Sequence, residues 1–211
     1  MSATPAPDRM AAATPPRVSW RRHPLILALR RLGRDALARV ERLRTHNPPL
    51  PAGVASVLFV CKGNICRSPF AAYHASRLAR DIGLEMSATS AGIKPSQAGA
   101  CPDDAIAAAD AYGLDMRPWR PVLLTDDLME AHDLIVVMEA SQLAAVRARW
   151  PRHRAKTVLL ALFGPPPREA WASVTIADPF GKDRAAFDVC YARIDAALAD
   201  LCSRLRAPSR R

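Results

Sequence analysis

No stretch of this chain reaches the roughly 18 consecutive apolar residues of a membrane-crossing helix, although half of its 211 residues are hydrophobic. The chain therefore reads as soluble or peripheral, long enough for one domain of about 150 residues and something extra. It has only five cysteines, an odd number without framework spacing, which excludes a disulfide scaffold. No second Cys or His pair stands at ligand distance from another, so neither a zinc site nor any other metal or cofactor is expected. No Gly-Lys-Ser/Thr ending is present, which excludes a Walker loop. Acidic residues are scarce only at the ends. Residues 1–53 hold ten Arg against Asp8, Asp35 and Glu41, the tail from Arg204 holds four Arg, and residues 54–203 hold 16 basic and 17 acidic residues. The net charge of +10 thus belongs to the termini, and a nucleic-acid partner is not expected.

What is present divides the chain into four parts. Residues 1–19, rich in Ala, Pro, Thr and Ser, are expected to be disordered. Residues 20–46 form a basic extension in which Leu25, Leu29, Leu32, Ala36, Val40 and Leu43 recur at helical steps among arginines. This predicts an amphipathic helix, ended by Asn47-Pro48-Pro49. Docking on an anionic membrane, docking on an acidic partner and packing on the domain remain open for it. A targeting peptide fits the Arg-rich start less well, since no cleavage pattern follows. Residues 54–205 are expected to be the folded domain, and 206–211 a basic tail.

Within the domain, strands are predicted at Val57–Val60, Glu85–Ser90, Asp133–Met138 and Thr157–Leu160. Helices are predicted from near Arg67 to Arg80 and over Asp103–Ala111, Ala140–Arg149 and Phe187–Leu205. The alternation implies an α/β fold: a four-stranded, parallel, doubly wound sheet with helices on both faces. Such sheets bind ligands at the carboxyl ends of their strands.

At the end of the first strand stands Cys61-Lys62-Gly63-Asn64-Ile65-Cys66-Arg67-Ser68-Pro69. Strand, tight loop and helix in this order make an anion cradle. Gly63 is free to take positive φ, Asn64 tolerates the left-handed region, and inward-turned N–H groups join the positive end of a helix. Cys61 lies where the helix terminus and Arg67 favour a thiolate. Arg67 offers a planar fork for two phosphate oxygens. Later in the chain, Asp178-Pro179-Phe180 presents a carboxylate on a stiffened loop beside an aromatic wall, although Asp-Pro alone is more often an ordinary turn.

Cys-x5-Arg-Ser is the mark of cysteine-dependent phosphatases, and the fuller string resembles the low-molecular-weight protein tyrosine phosphatase family. The resemblance covers about residues 54–205, with further matches at Ser90-Ala91-Gly92, Gly113-Leu114-Asp115, Met138-Glu139 and Asp178-Pro179-Phe180. It implies a nucleophile at Cys61, a phosphate clamp at Arg67 and a general acid, then base, at Asp178. The substrate's phosphate is expected against Lys62, Gly63, Asn64, Ile65, Cys66 and Ser68, with its ring beside Phe180. Ser68 is expected to donate to the thiolate, with an ordinary helix cap as the alternative. Ser90 is expected to support the loop through Asn64. Cys66 is implied as a resolving thiol for oxidised Cys61, against the plainer reading of a small residue packed under the loop. Trp119 stands where the family carries a histidine that braces the loop asparagine, which puts the supporting network in doubt. Lys62 stands where an apolar residue is usual.

The function this implies is hydrolysis of phosphotyrosine in proteins, in a reducing, cytoplasmic setting. In bacteria such enzymes oppose tyrosine kinases that govern exopolysaccharide assembly, so a bacterial tyrosine kinase is the implied partner. Two alternatives stand beside it. An arsenate reductase would relay oxidation through further cysteines, of which only Cys101 falls in the right region. A phosphotyrosine-binding scaffold is suggested by Trp119 and Lys62 but opposed by the intact Cys61, Arg67 and Asp178.

Overall fold

A computed structural model describes residues 47–165 and 174–207. The expected disorder of 1–19, the amphipathic helix of 20–46 and most of the tail 206–211 lie outside the described residues.

Strand β1 (Ser56–Cys61) is buried along all but its first residue, as its run of Val, Leu and Phe requires of a central strand. It pairs in parallel with β2 (Ser87–Gly92) on one side and β3 (Leu134–Val137) on the other, and β3 pairs with β4 (Thr157–Leu159). The order β2-β1-β3-β4 is the expected four-stranded parallel sheet. Helix α1 (Arg67–Asp81) connects β1 to β2, moving one way across the sheet, and α4 (Ala140–Arg149) connects β3 to β4, moving the other way. Right-handed crossovers in opposite directions place those helices on opposite faces. The chain reverses direction at β1, so its carboxyl end opens into the crevice of the sheet.

Helix α2 (Asp103–Asp110) precedes a short α3 (Asp126–Ala131) absent from the sequence reading. Thr125 caps α3 by accepting from Leu128 N, while six residues are too few for a clear periodicity. The closing helix α5 (Arg184–Arg206) starts three residues earlier than expected, because Asp183 accepts from Ala186 N as its cap. β2 runs two residues later than predicted, so Ala91 and Gly92 are part of the strand. Leu160 leaves β4 for a single 3-10 turn, Leu160–Leu162.

Helix α5 seats on α1 through aromatic rings. Phe70 stacks on Tyr191 with centroids 3.8 Å apart and planes within 5°, and Tyr191 Oη reaches back to donate to the carbonyl of Cys66 (3.2 Å). The end of the chain thereby fixes the loop after β1. Asp133 does similar work at the opposite end of β1, where one carboxylate oxygen accepts from Ala55 N, Ser56 N and Ser56 Oγ and locks β1 against β3.

Candidate active site

The segment from Cys61 to Arg67 closes a ring at the mouth of the crevice. Asn64 has φ of 56°, in the left-handed region that asparagine tolerates. Gly63, expected to take positive φ, does not. Its turn is made by Asn64 instead, and a Cβ on Gly63 would meet only ordinary contacts. The glycine that the loop requires is Gly92 on the neighbouring strand. There a Cβ would stand 2.9 Å from the carbonyl oxygen of Lys62 and 3.0 Å from Asn64 Cβ, so β2 and the loop approach more closely than any side chain permits.

Asn64 is buried and fully engaged. Its Nδ2 donates to Ser68 Oγ (2.9 Å) and Ser90 Oγ (2.8 Å), and its Oδ1 accepts from Val122 N (2.8 Å). Cys61 Sγ receives the backbone N–H of Asn64 (3.2 Å) and lies 3.0 Å from Ser68 Oγ. Ser68 accepts from Asn64, which leaves its own hydrogen for the sulfur. Ser68 is not the cap of α1. It lies within the first turn, and Cys66 occupies the cap position with no side-chain cap bond. The first-turn N–H groups of a helix have no acceptor within it.

Arg67 is 1% exposed. Its Nη1 donates to Glu139 Oε1 (2.5 Å) and to the carbonyl of Ile176 (2.9 Å), and its Nη2 to Asp178 Oδ2 (2.7 Å). Burial works against its charge, yet Cys61, Asp178 and Glu139 together raise its pKa above the ordinary arginine value. Its Nε is buried with no hydrogen-bond partner. Such an orphan is costly unless an anion satisfies it. Asp178 and Phe180 stand over the same opening, Phe180 58% exposed. Together with Lys62, Ile65, Cys66 and the wall from Lys94 to Gln97 they enclose a cleft of about 580 Å³.

Comparison with known proteins agrees. The family model described as low molecular weight phosphotyrosine protein phosphatase matches residues 56–211. The chain belongs to this family. It is 32% identical over 145 residues to the low molecular weight protein-tyrosine-phosphatase Ptp of Acinetobacter johnsonii, covering 69% of this chain and 94% of that one. Among solved structures, the tyrosine phosphatase Wzb from Escherichia coli K30 in complex with sulphate is 30% identical, with a TM-score of 0.62, covering 72% of this chain and 99% of that one. The YwlE arginine phosphatase, as a mutant with a phosphorylated active-site serine, is 25% identical with a TM-score of 0.65, covering 74% and 98%.

In this phosphatase-family chain Trp119 leaves the brace intact. Its indole Nε1 donates to the backbone carbonyl of Asn64 (2.9 Å), and its ring meets Tyr73 edge-on at 5.9 Å. The doubt raised by the missing histidine is thus met by a different donor on the same residue of the loop. Cys66 is buried, and burial first, then Asp178 and Cys61, push its thiol far up. Burial also pushes the thiols of Cys101 and Cys190 up to about 12 and that of Cys202 to about 11.

Every residue expected at the site lies on the cleft or directly behind it. Lys62, Gly63, Ile65, Cys66 and Phe180 line it with Cys61, Asn64, Arg67 and Asp178, while Ser68, Ser90 and Trp119 support the loop from behind. Sequence reasoning missed Glu139, Gly92, Val122 and Tyr191 as parts of this assembly. Glu139 stands two residues past β3, the strand beside β1, and the Met138-Glu139 match to the family was its available signal.

Proposed function

We propose that this chain is a protein-tyrosine phosphatase that hydrolyses phosphotyrosine through a phosphocysteine on Cys61. The observation that carries it is the buried Arg67, with a partnerless Nε and an Nη2 held by Asp178, in the same cleft as a sulfur that already receives two hydrogen bonds.

An entering phosphate dianion takes Nε and Nη2 of Arg67 as a bidentate fork, while Glu139 and the Ile176 carbonyl keep Nη1 and hence the guanidinium plane in place. Asp178 is released from Arg67, takes a proton from solvent and turns toward the leaving oxygen. The Cys61 thiolate attacks phosphorus in line, an S–P bond forms, and the P–O bond to the phenol breaks as Asp178 supplies the proton. The loop N–H groups and Arg67 balance the charge on the equatorial oxygens. Asp178, now a carboxylate, takes a proton from water as that water attacks phosphorus. Phosphate leaves, and the returning thiolate is stabilised by the Ser68 hydroxyl and the Asn64 amide.

Phe180 selects the leaving group. An exposed ring at the mouth offers a face for a phenol. The burial-raised thiol of Cys101 is a poor relay for arsenate reduction, since attack requires a thiolate. The partner is a phosphotyrosine-bearing protein, with a bacterial tyrosine kinase of exopolysaccharide assembly the first to try. Reversible thiolate chemistry suits a reducing, cytoplasmic compartment, and among the described residues no helix is long and apolar enough to cross a membrane.

Steady-state turnover tests the reading. p-Nitrophenyl phosphate and a phosphotyrosine peptide are expected to be hydrolysed at least tenfold faster than a phosphoarginine peptide. Preference for phosphoarginine, or arsenate-dependent oxidation of thioredoxin without aryl phosphate hydrolysis, would overturn it.

A further inference from the structure

The chain has 26 arginines and only four lysines, and three of the four stand around the cleft. Lys62 and Lys94 line it, both exposed. Their backbones are hydrogen-bonded neighbours, Lys94 N donating to the Lys62 carbonyl (2.9 Å), in a short ladder that continues from Ile93 N on Cys61 O to Ser96 N on Gly63 O. Lys182, also exposed, lines the adjoining groove behind Asp178 and Pro179. Among the described residues none of these three side chains has an ion-pair or hydrogen-bond partner. Lys156, away from the cleft, has its Nζ bound to the carbonyls of Glu130 and His132.

The charge they supply is not redundant. Arg67 is shared between Glu139 and Asp178, so the floor of the cleft carries more carboxylate than guanidinium before the Cys61 thiolate is counted. Positive field at the mouth comes from the rim lysines. Their flexible, compact ammonium groups suit anions whose position varies from one peptide to another, where a planar arginine fork would demand one geometry.

Resting on the phosphotyrosine reading, we propose that Lys62 and Lys94 make this enzyme selective for phosphotyrosine flanked by acidic residues. With the phosphotyrosine ring beside Phe180 and its phosphate on Arg67, the peptide backbone crosses the mouth. Carboxylates one or two residues away then meet the two lysines. Each such contact is exposed and individually small, so selectivity comes from their sum and weakens with salt.

The test compares a phosphotyrosine peptide carrying Asp and Glu on both sides with its Asn and Gln counterpart. Each is measured as kcat/KM at low and high ionic strength beside p-nitrophenyl phosphate. The full chain is expected to favour the acidic peptide about fivefold at low salt and less than twofold at about 0.5 M NaCl. The ratio is expected to fall to near one in Lys62→Gln/Lys94→Gln, and Lys94→Glu is expected to reverse it. Equal rates on the two peptides, with p-nitrophenyl phosphate still hydrolysed, would overturn the selectivity and leave the phosphatase reading standing. So would an unchanged ratio in the double variant. Failure to hydrolyse any of the three substrates would overturn both.

Discussion

Asn64 combines several tasks at one position: it takes the left-handed backbone, receives Val122 N–H, and ties two serines and a cysteine together. Trp119 holds its carbonyl from outside. Trp119→Phe keeps most of the ring packing but leaves that carbonyl without its donor, a loss of about 1–3 kcal/mol if it stays buried. The expected result is a threefold to tenfold fall in kcat/KM for an aryl phosphate at unchanged fold by circular dichroism. An undiminished rate would show that the indole N–H is not part of the brace. The thiols give a second expectation at this scale. With Cys101 and Cys190 held near 12, Cys202 near 11 and Cys66 further up, iodoacetate at pH 6.5 is expected to modify one thiol, Cys61, and inorganic phosphate to protect it. Mass spectrometry after digestion reads the site directly, and label on Cys66 or Cys101 would contradict the account.

At the scale of elements, the phosphate loop is built by its neighbours as much as by itself. β2 presses against it at Gly92, α5 reaches it through Tyr191, and the segment after β3 supplies Glu139 to Arg67. Gly92→Ala puts a methyl within 2.9 Å of the Lys62 carbonyl oxygen, so either β2 or the loop must shift. Overpacking of this kind costs about 1–3 kcal/mol. Thermal unfolding is expected to show that loss, together with a fall in kcat larger than any change in KM. The far end of β1 carries a pH-dependent element. The Ser56 hydroxyl, then the amide of Ala55, lower the pKa of Asp133 below its ordinary value. A carboxyl lowered in the folded state contributes stability above its unfolded pKa and loses it as pH falls through the folded value. Asp133→Asn is therefore expected to be less stable than the natural chain at pH 7, by about 1 kcal/mol or less because the site is solvent-screened. The gap is expected to close below about pH 3.9. A gap that persisted into acid would assign the effect to packing rather than charge.

Across the whole molecule, the features legible in the sequence were those set by local chemistry. Three apolar runs named β1, β3 and β4, and Cys61 through Ser68 spelled out the cradle. Asp178-Pro179-Phe180 stood out through its resemblance to the family's acid loop, since Asp-Pro alone is more often an ordinary turn. The contacts that lay beyond reach span long sequence distances. Gly92 was legible only as part of a family match, and the parallel pairing of β1 with β2 shows that it must lack a side chain to admit Asn64. Tyr191 lies within the predicted closing helix, and nothing local to it signals that its hydroxyl donates to the Cys66 carbonyl 125 residues away. Gly63 misled for the opposite reason, since a glycine in a tight loop invites positive φ and here the asparagine beside it takes that role.

The central claim is that Cys61 carries the phosphoryl group between two half-reactions served by Asp178. Rapid-quench single-turnover kinetics with a ³²P-labelled aryl phosphate tests it most directly. The natural chain is expected to show a cysteine-linked phosphoenzyme, preserved by a denaturing alkaline quench, that forms and decays at catalytically competent rates. Asp178→Asn is expected to slow its formation by about 10²–10⁴-fold with a poor leaving group and far less with a good one. Cys61→Ser is expected to show neither a cysteine-linked intermediate nor turnover approaching that of the natural chain. Full turnover by Cys61→Ser, or an equal loss with both leaving groups in Asp178→Asn, would contradict the account.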